Sequence, residues 1–283
     1  MSMKKIFKKV LCSVLALTAT VSSVAMFTAC ETDNPEVKMQ IEFDGETYTL
    51  HYKLYRKIAP ATVKHFLKLV EKKYYNDVCI HDYDVDGGKL YTGGYTYVAG
   101  GEHGGIVEKD YFNTVSAYEH DWTVFTDAEK TTPTYTLYGE FEDNSFKVKN
   151  GDLSESFGSL TMYYSNKKVD EGEYMVSVVR ADGSGVSSKD YRYNSATSLF
   201  SISLSDSSTN SKAYCTFATL QEGSVDDLED LKAALEAYEG DFVEEYVVDI
   251  DDNDPFVGTD NATATYSVPV SPITIKKVTV EKY

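Results

Sequence analysis

The sequence predicts a mainly β domain, closed or nearly closed on itself and capped by two helices. Several segments alternate apolar and polar residues with a period of two, as half-buried strands do. Only two segments repeat apolar residues at the helical period. The stretches between them are rich in Gly, Ser and Asp and read as loops.

Met39, Ile41 and Phe43 alternate, a turn follows at Gly45, and Tyr48, Leu50, Tyr52 and Leu54 alternate after it, which is a β-hairpin. Pro60 opens the first helix, where its missing N–H costs nothing. Val63, Phe66, Leu67 and Val70 then lie at i, i+3, i+4 and i+7, one apolar face running to about Tyr75. Residues 87–105 hold four Gly-Gly pairs but lack the spacing and following helix of a phosphate loop. Residues 157–164, 174–180, 199–204 and 214–220 read as strands, and Ile273 to Val280 as a last one. The second helix covers residues 225–239, with Asp226 and Asp227 in its first turn, where they suit the dipole. Leu228, Leu231, Leu235 and Tyr238 line its apolar face.

Composition narrows the function classes. Of 283 residues, 27 are Lys or Arg and 45 are Asp or Glu, so the formal net charge is −18. A chain this acidic is a poor nucleic-acid ligand and, by net charge alone, a poor ligand for anionic lipid. The contents of 42% hydrophobic and 25% charged residues are globular values. Four cysteines exclude a disulfide-built scaffold.

The first 30 residues form an address. Lys4, Lys5, Lys8 and Lys9 precede an apolar run from Val10 to Met26, and Phe27-Thr28-Ala29-Cys30 ends it. That is a secretory signal, and its end resembles the lipobox of bacterial lipoproteins, with Phe27 where an aliphatic residue is usual. Residues 1–29 are therefore expected to be cleaved as a lipoprotein signal peptide, leaving Cys30 N-terminal and diacylated. Two acyl chains suffice for stable anchoring. A plain signal peptide or a retained signal anchor is the alternative. The expected location is extracytoplasmic and membrane-anchored, at the cell surface or periplasmic face, with residues 30–38 as a tether. Cleavage removes four lysines and no acid, giving a mature charge of −22. Cys79 and Cys215 are expected as buried thiols, with a disulfide as the alternative.

Four blocks then carry a family resemblance, in order. They are Leu54 to Tyr75 (LYRKIAPATVKHFLKLVEKKYY), Tyr138 to Phe146 (YGEFEDNSF) followed by Gly158-Ser159-Leu160-Thr161-Met162, Asn194 to Ile202 (NSATSLFSI), and Phe217 to Tyr238, with Pro272 to Ile275 closing the chain. Together they resemble the cyclophilin-type peptidyl-prolyl cis-trans isomerases. The resemblance implies a closed eight-stranded antiparallel barrel with a helix at each end, over residues 39–283. Insertions are expected at about 95–134, 167–193 and 240–268.

In that family an arginine donates hydrogen bonds near the prolyl amide. A glutamine and backbone groups hold the peptide, and aromatic and aliphatic side chains form the proline pocket. Carried over, these roles meet mostly substitutions. The Phe-His-Arg triplet becomes Ile80-His81-Asp82, so a donor position holds an acceptor. The glutamine before the paired glycines becomes Thr92, ahead of Gly93 and Gly94. A second glutamine becomes Leu199, the next aromatic stays as Phe200, and the pocket phenylalanine becomes Ser201. The pocket histidine falls near Tyr214, the Trp-Leu pair near Thr209-Asn210, and Phe217 keeps the end of its strand. Arg180 and Arg192 flank the second insertion and are the candidate replacement donors.

His51, His65, His81, His103 and His120 have no ligand spacing, and Asp249 to Asp254 lacks the glycine and glutamate of a calcium loop. No metal or cofactor is expected. Two readings remain. One is a lipid-anchored peptidyl-prolyl isomerase-like protein assisting the folding of secreted or surface proteins, its activity weak or absent because Asp82 holds the arginine position. The other is a catalytically inactive module of the same fold that binds a peptide or surface protein. The expected partners are proline-containing segments or such a protein, and the membrane through Cys30.

Overall fold

The computed structural model describes residues 32–101, 103–117, 124–125, 136–146, 153–164, 175–179, 185–190, 196–206, 214–243, 248–249, 263–264 and 267–283. Cys30, Trp122, Arg180, Arg192, Thr209 and Asn210 lie outside them, as does most of the acidic stretch after Asp249.

β1 (Glu36–Phe43) and β2 (Glu46–Leu54) form the expected hairpin, so residues 36–38 of the expected tether are the start of a strand. Asp44 and Gly45 both have positive φ, 50° and 84°, which is the backbone that a two-residue hairpin turn requires. α1 (Pro60–Glu71) follows. It stops before the expected Tyr75 because Lys73 turns left-handed at φ 59°. No acid lies in its first turn. Instead the Glu140 carboxylate, from the second resemblance block, accepts from the backbone N–H groups of Ala61 (3.0 Å) and Thr62 (2.8 Å). A carboxylate there satisfies orphan donors and meets the positive end of the helix dipole. Burial raises the carboxyl pKa of Glu140, and those two bonds pull it back.

β3 (Val78–Asp84), β4 (Lys89–Tyr97) and β5 (Ile106–Glu108) come next, then α2 (Tyr111–Ser116), capped by the Asp110 carboxylate. The first expected insertion thus contains a strand and a short helix whose Tyr111 is buried. β6 (Leu160–Met162), β7 (Phe200–Ser203), β8 (Cys215–Leu220), α3 (Val225–Glu236) and β9 (Thr274–Lys282) complete the domain.

The sheet order is β7-β6-β8-β2-β1-β9-β3-β4-β5, and β7 also pairs with β4. Eight antiparallel strands therefore close a ring, with β5 attached outside it. Closure removes the exposed edges that an open sheet would leave. Met175–Val179 lies between Val124–Phe125 and Val186–Asp190 in a separate three-stranded sheet.

The core fills the ring. Val37, Met39, Ile41, Leu50, Tyr52 and Leu54 are fully buried from the hairpin. Phe66 of α1 packs against Tyr75, Phe200 and Phe217 at centroid distances of 5.0, 5.6 and 5.2 Å. α1 follows the C-terminal end of β2. α3 sits against the other half of that strand, where Asp227 and Ser224 accept from the backbone N–H groups of Thr49 and His51. Its Leu228, Leu231 and Leu235 are buried. Cys79 and Cys215 are free and buried, and burial pushes the Cys79 thiol up to about 12. Thr32–Tyr283 is one compact unit. Among the described residues, every ring strand and every buried core residue lies within it.

Candidate functional site

Cross-strand partners in a sheet share a face, and the register draws two adjacent rows across five strands. One row runs Ile80, Thr92, Phe200, Met162, Cys215 and faces the core. The other runs Asp82, Tyr91, Ser201, Thr161, Thr216 on the outer face of the strands, where Asp82 and Tyr91 are half-buried and Ser201, Thr161 and Thr216 are buried. All five outward residues are polar, and four carry hydroxyls.

Asp82 reaches that row because β3 is irregular. Its register against β4 shifts between Val78 and Ile80 and again between Ile80 and Asp82. A bulge places an extra residue in one strand and re-aims the side chains after it. His81 is the extra residue, and its buried ring lies 4.7 Å from that of Tyr95. Burial holds its imidazole neutral, with the pKa lowered to about 3.

The Asp82 carboxylate accepts from the backbone N–H of Ser267 at 3.0 Å, and the Ser267 carbonyl accepts from the Tyr83 N–H at 2.7 Å. Burial raises the carboxyl pKa to about 6, the Ser267 bond opposes that, and Asp84 adds to it. The Tyr91 and Tyr163 rings stand edge to face at 5.9 Å. Burial first, and the nearby carboxylates next, raise both phenols, Tyr163 to about 12. Thr161 and Thr216 share a hydroxyl contact of 3.0 Å. Tyr214 is 46% exposed, and Lys89 lies 5.6 Å over its ring while pairing with Glu155 at 2.9 Å.

Such a face offers tyrosine rings to an apolar group, while the buried Thr161 and Thr216 hydroxyls are spent on each other. Asp82 adds a carboxylate, which when ionised accepts hydrogen bonds and donates none. Arg56 is the one arginine among the described residues. It sits between β2 and α1, where its backbone N–H donates to the Asp33 carbonyl.

Of the residues carried over from the resemblance, Asp82 and Ser201 come together on the outward row, and Tyr214 borders it. Thr92 does not join them. It is fully buried, and its hydroxyl donates to the Cys79 carbonyl at 2.9 Å. Gly93 has φ 104°, and a Cβ there would fall 2.2 Å from the Ser198 carbonyl oxygen, so only glycine fits. The Gly94 carbonyl accepts from the Lys109 N–H. Leu199 is buried, and Phe200 and Phe217 belong to the core aromatic cluster. The half-buried Tyr91, Tyr163 and Lys89 and the buried Thr161 and Thr216 are the residues of this face that sequence reasoning missed. Tyr91 and Lys89 lie at alternate positions before Gly93, but the bulges that set their face leave no mark in the sequence.

The family model described as "Cyclophilin type peptidyl-prolyl cis-trans isomerase/CLD" matches residues 37–249, most of the chain. The chain belongs to the cyclophilin-type peptidyl-prolyl cis-trans isomerase family. A cyclophilin-type isomerase from Cryptosporidium parvum is 16% identical, with a TM-score of 0.43, over 88% of this chain and 99% of the other. The same protein crystallised in the presence of the dipeptide Ala-Pro gives the same figures. The Mimivirus cyclophilin is 17% identical, with a TM-score of 0.45, over 89% of this chain and 91% of the other. No curated protein matches. Within this cyclophilin-family ring, the position at which the resemblance implies the catalytic arginine is the Asp82 just described.

Proposed function

We propose that this cyclophilin-family protein is a lipid-anchored, extracytoplasmic peptide-binding module. It holds proline-containing segments of secreted or surface proteins against the outward row and assists their folding without efficient isomerisation. The observation that carries this reading is the outward Asp82, tied by its carboxylate to Ser267. Rotation about an X–Pro bond is held back by amide resonance. Its catalysis needs a donor fixed near the proline nitrogen as that nitrogen turns pyramidal. Removing one such donor costs about 2.7–4 kcal/mol of transition-state stabilisation, and a carboxylate in its place opposes it further. Tyr91, Tyr163 and Tyr214 support binding, because a prolyl ring packs well on an aromatic face. The lipobox-like end at Cys30 supports the anchor and the location.

The test is exchange NMR on a short X–Pro peptide with the mature chain beside its Asp82→Arg variant. The expected result is peptide binding by both, with no exchange enhancement by the wild type. Clear enhancement by the wild type overturns the binding-module reading in favour of a working isomerase and sends the search for the donor to Arg180 and Arg192. The anchor is checked separately by metabolic labelling with a fatty-acid probe, which Cys30→Ser abolishes.

A further inference from the structure

The net charge of −18 conceals a segregation. Residues 46–77 contain seven Lys and Arg against three carboxylates, Glu46, Glu71 and Asp77. They cover the second half of the hairpin, α1 and the turn after it. Lys64, Lys68, Glu71 and Lys72 recur at i, i+4, i+7 and i+8, so they form one stripe on the side of α1 away from Val63, Phe66 and Val70. Lys57, Lys64, Lys72 and Lys73 are exposed, and Lys53, Arg56 and Lys68 are half-buried. The α1 end of an acidic protein thus carries more cations than acids, even with Asp33, which pairs with Lys57, and Glu71, which pairs with Lys68, counted in.

That end is also where the folded chain begins. The Thr32 N–H donates to the Tyr283 carbonyl at 2.8 Å, the Leu54 N–H to the Pro35 carbonyl at 2.8 Å, and the Arg56 N–H to the Asp33 carbonyl at 3.1 Å. Lys57 pairs with the Asp33 carboxylate. At the other end of α1, the Tyr283 hydroxyl donates to Glu71 at 3.1 Å. Residues 32 to 35 are therefore pinned beside both ends of the basic helix. Only Glu31 separates Cys30 from Thr32. Two residue steps span at most about 7 Å. A lipid on Cys30 brings the bilayer within that distance of Thr32.

We infer that the α1 end of the ring is a docking face for an anionic lipid surface, built from Arg56, Lys57, Lys64, Lys68, Lys72 and Lys73. The inference rests on the anchor reading for its biological setting, but the face itself is tested without the lipid. Docked this way, α1 lies against the headgroups. The β3–β4 turn, at the far end of β3 from α1, points away from them and takes Asp84 and Asp86 with it. The charge pattern explains why a net-charge argument misjudges the molecule. The field of a membrane surface decays within a Debye length, about 8–10 Å at moderate salt, so a docked protein answers to the charges on one face.

The experiment is co-sedimentation of the mature chain carrying Cys30→Ser, so that no acyl chain contributes. The vesicles are phosphatidylcholine alone or phosphatidylcholine with phosphatidylglycerol at about one third. One variant is Lys64→Glu with Lys72→Glu. Its control is Lys232→Glu with Lys277→Glu, the same change in net charge at exposed or half-exposed positions on α3 and β9. The expected result is at least about tenfold tighter binding to the anionic vesicles, lost at high salt. The α1 pair weakens it about tenfold or more and the control pair does so far less. Equal binding to both vesicle types, or equal loss in the two pairs, overturns the inference. So does binding to a soluble polyphosphate without binding to vesicles, which reassigns the face to a soluble polyanion. Failure of Cys30 labelling, with vesicle binding intact, removes the anchor reading and leaves the face standing.

Discussion

Two rows of side chains lie side by side on the same five strands, one residue apart on four of them and two apart on β3, where His81 bulges between them, and they follow different rules. The inner row, Ile80, Thr92, Phe200, Met162 and Cys215, is buried throughout, and its single hydroxyl bonds to a backbone carbonyl. The outer row, Asp82, Tyr91, Ser201, Thr161 and Thr216, carries a carboxylate and four hydroxyls. The first row is packing: it keeps the aromatic of the family blocks at Phe200 and turns even its substituted position, Thr92, into the core. The second row is the one the proposed function uses. Packing constrains volume and polarity at every inner position. An outer row is constrained only by what it touches, so it can change wholesale while the fold persists.

The sharpest way to break this comparison is to truncate an inner residue. Phe200→Ala removes a fully buried ring packed on Phe66 and Tyr75, and the expected loss is about 3–5 kcal/mol of unfolding free energy. Urea titration checks it, and a loss below about 1 kcal/mol would place Phe200 outside the core cluster.

Next comes the outer carboxylate. The carboxyl of Asp82 has its pKa raised from 3.8 to about 6 in the fold. The folded state therefore holds more protons than the unfolded state between those values, and this group makes stability fall as the pH rises through them. Asp82→Asn keeps an acceptor for the Ser267 N–H and removes the charge. It should gain up to about 2 kcal/mol at pH 7 and nothing near pH 3. His81, one residue earlier, works the other way. Its stabilisation is present above about 6.5 and is lost as the pH falls toward about 3. Urea midpoints across this range separate the two, and an Asp82→Asn variant with the wild-type pH profile would refute the Asp82 part.

The smallest effect belongs within the outer row. Thr161→Val removes the 3.0 Å contact with Thr216, at an expected cost of about 1 kcal/mol. If the row serves ligand, the same change alters peptide affinity more than it alters stability, and paired titrations compare the two.

Much of the fold was legible because its signals are local. The period-two runs, the Asp44-Gly45 turn, Pro60 and the two apolar helix faces each sit within a few residues. The site was less legible. Reading the paired glycines against the family placed Thr92 toward substrate, whereas the two irregularities in β3 and β4 turn it inward and send Tyr91 out. The Glu140 cap of α1 was hidden for a similar reason, since 78 residues separate it from Thr62.

The sequence by itself determined a closed β architecture with helices at its ends, the family blocks in order, and Asp82 where the resemblance implies an arginine. These follow from local periodicity and residue identity, which need no partner strand. The tertiary structure alone decided which side chains share the outward row. It also decided that Asp82 is tied to Ser267, and that the basic residues of 46–77 gather at the end where the chain enters the fold. Register, bulges and helix placement are set by contacts between distant segments, so the cluster of Lys and Arg from Lys53 to Lys73 is visible in the sequence while its place beside residues 32–35 is not.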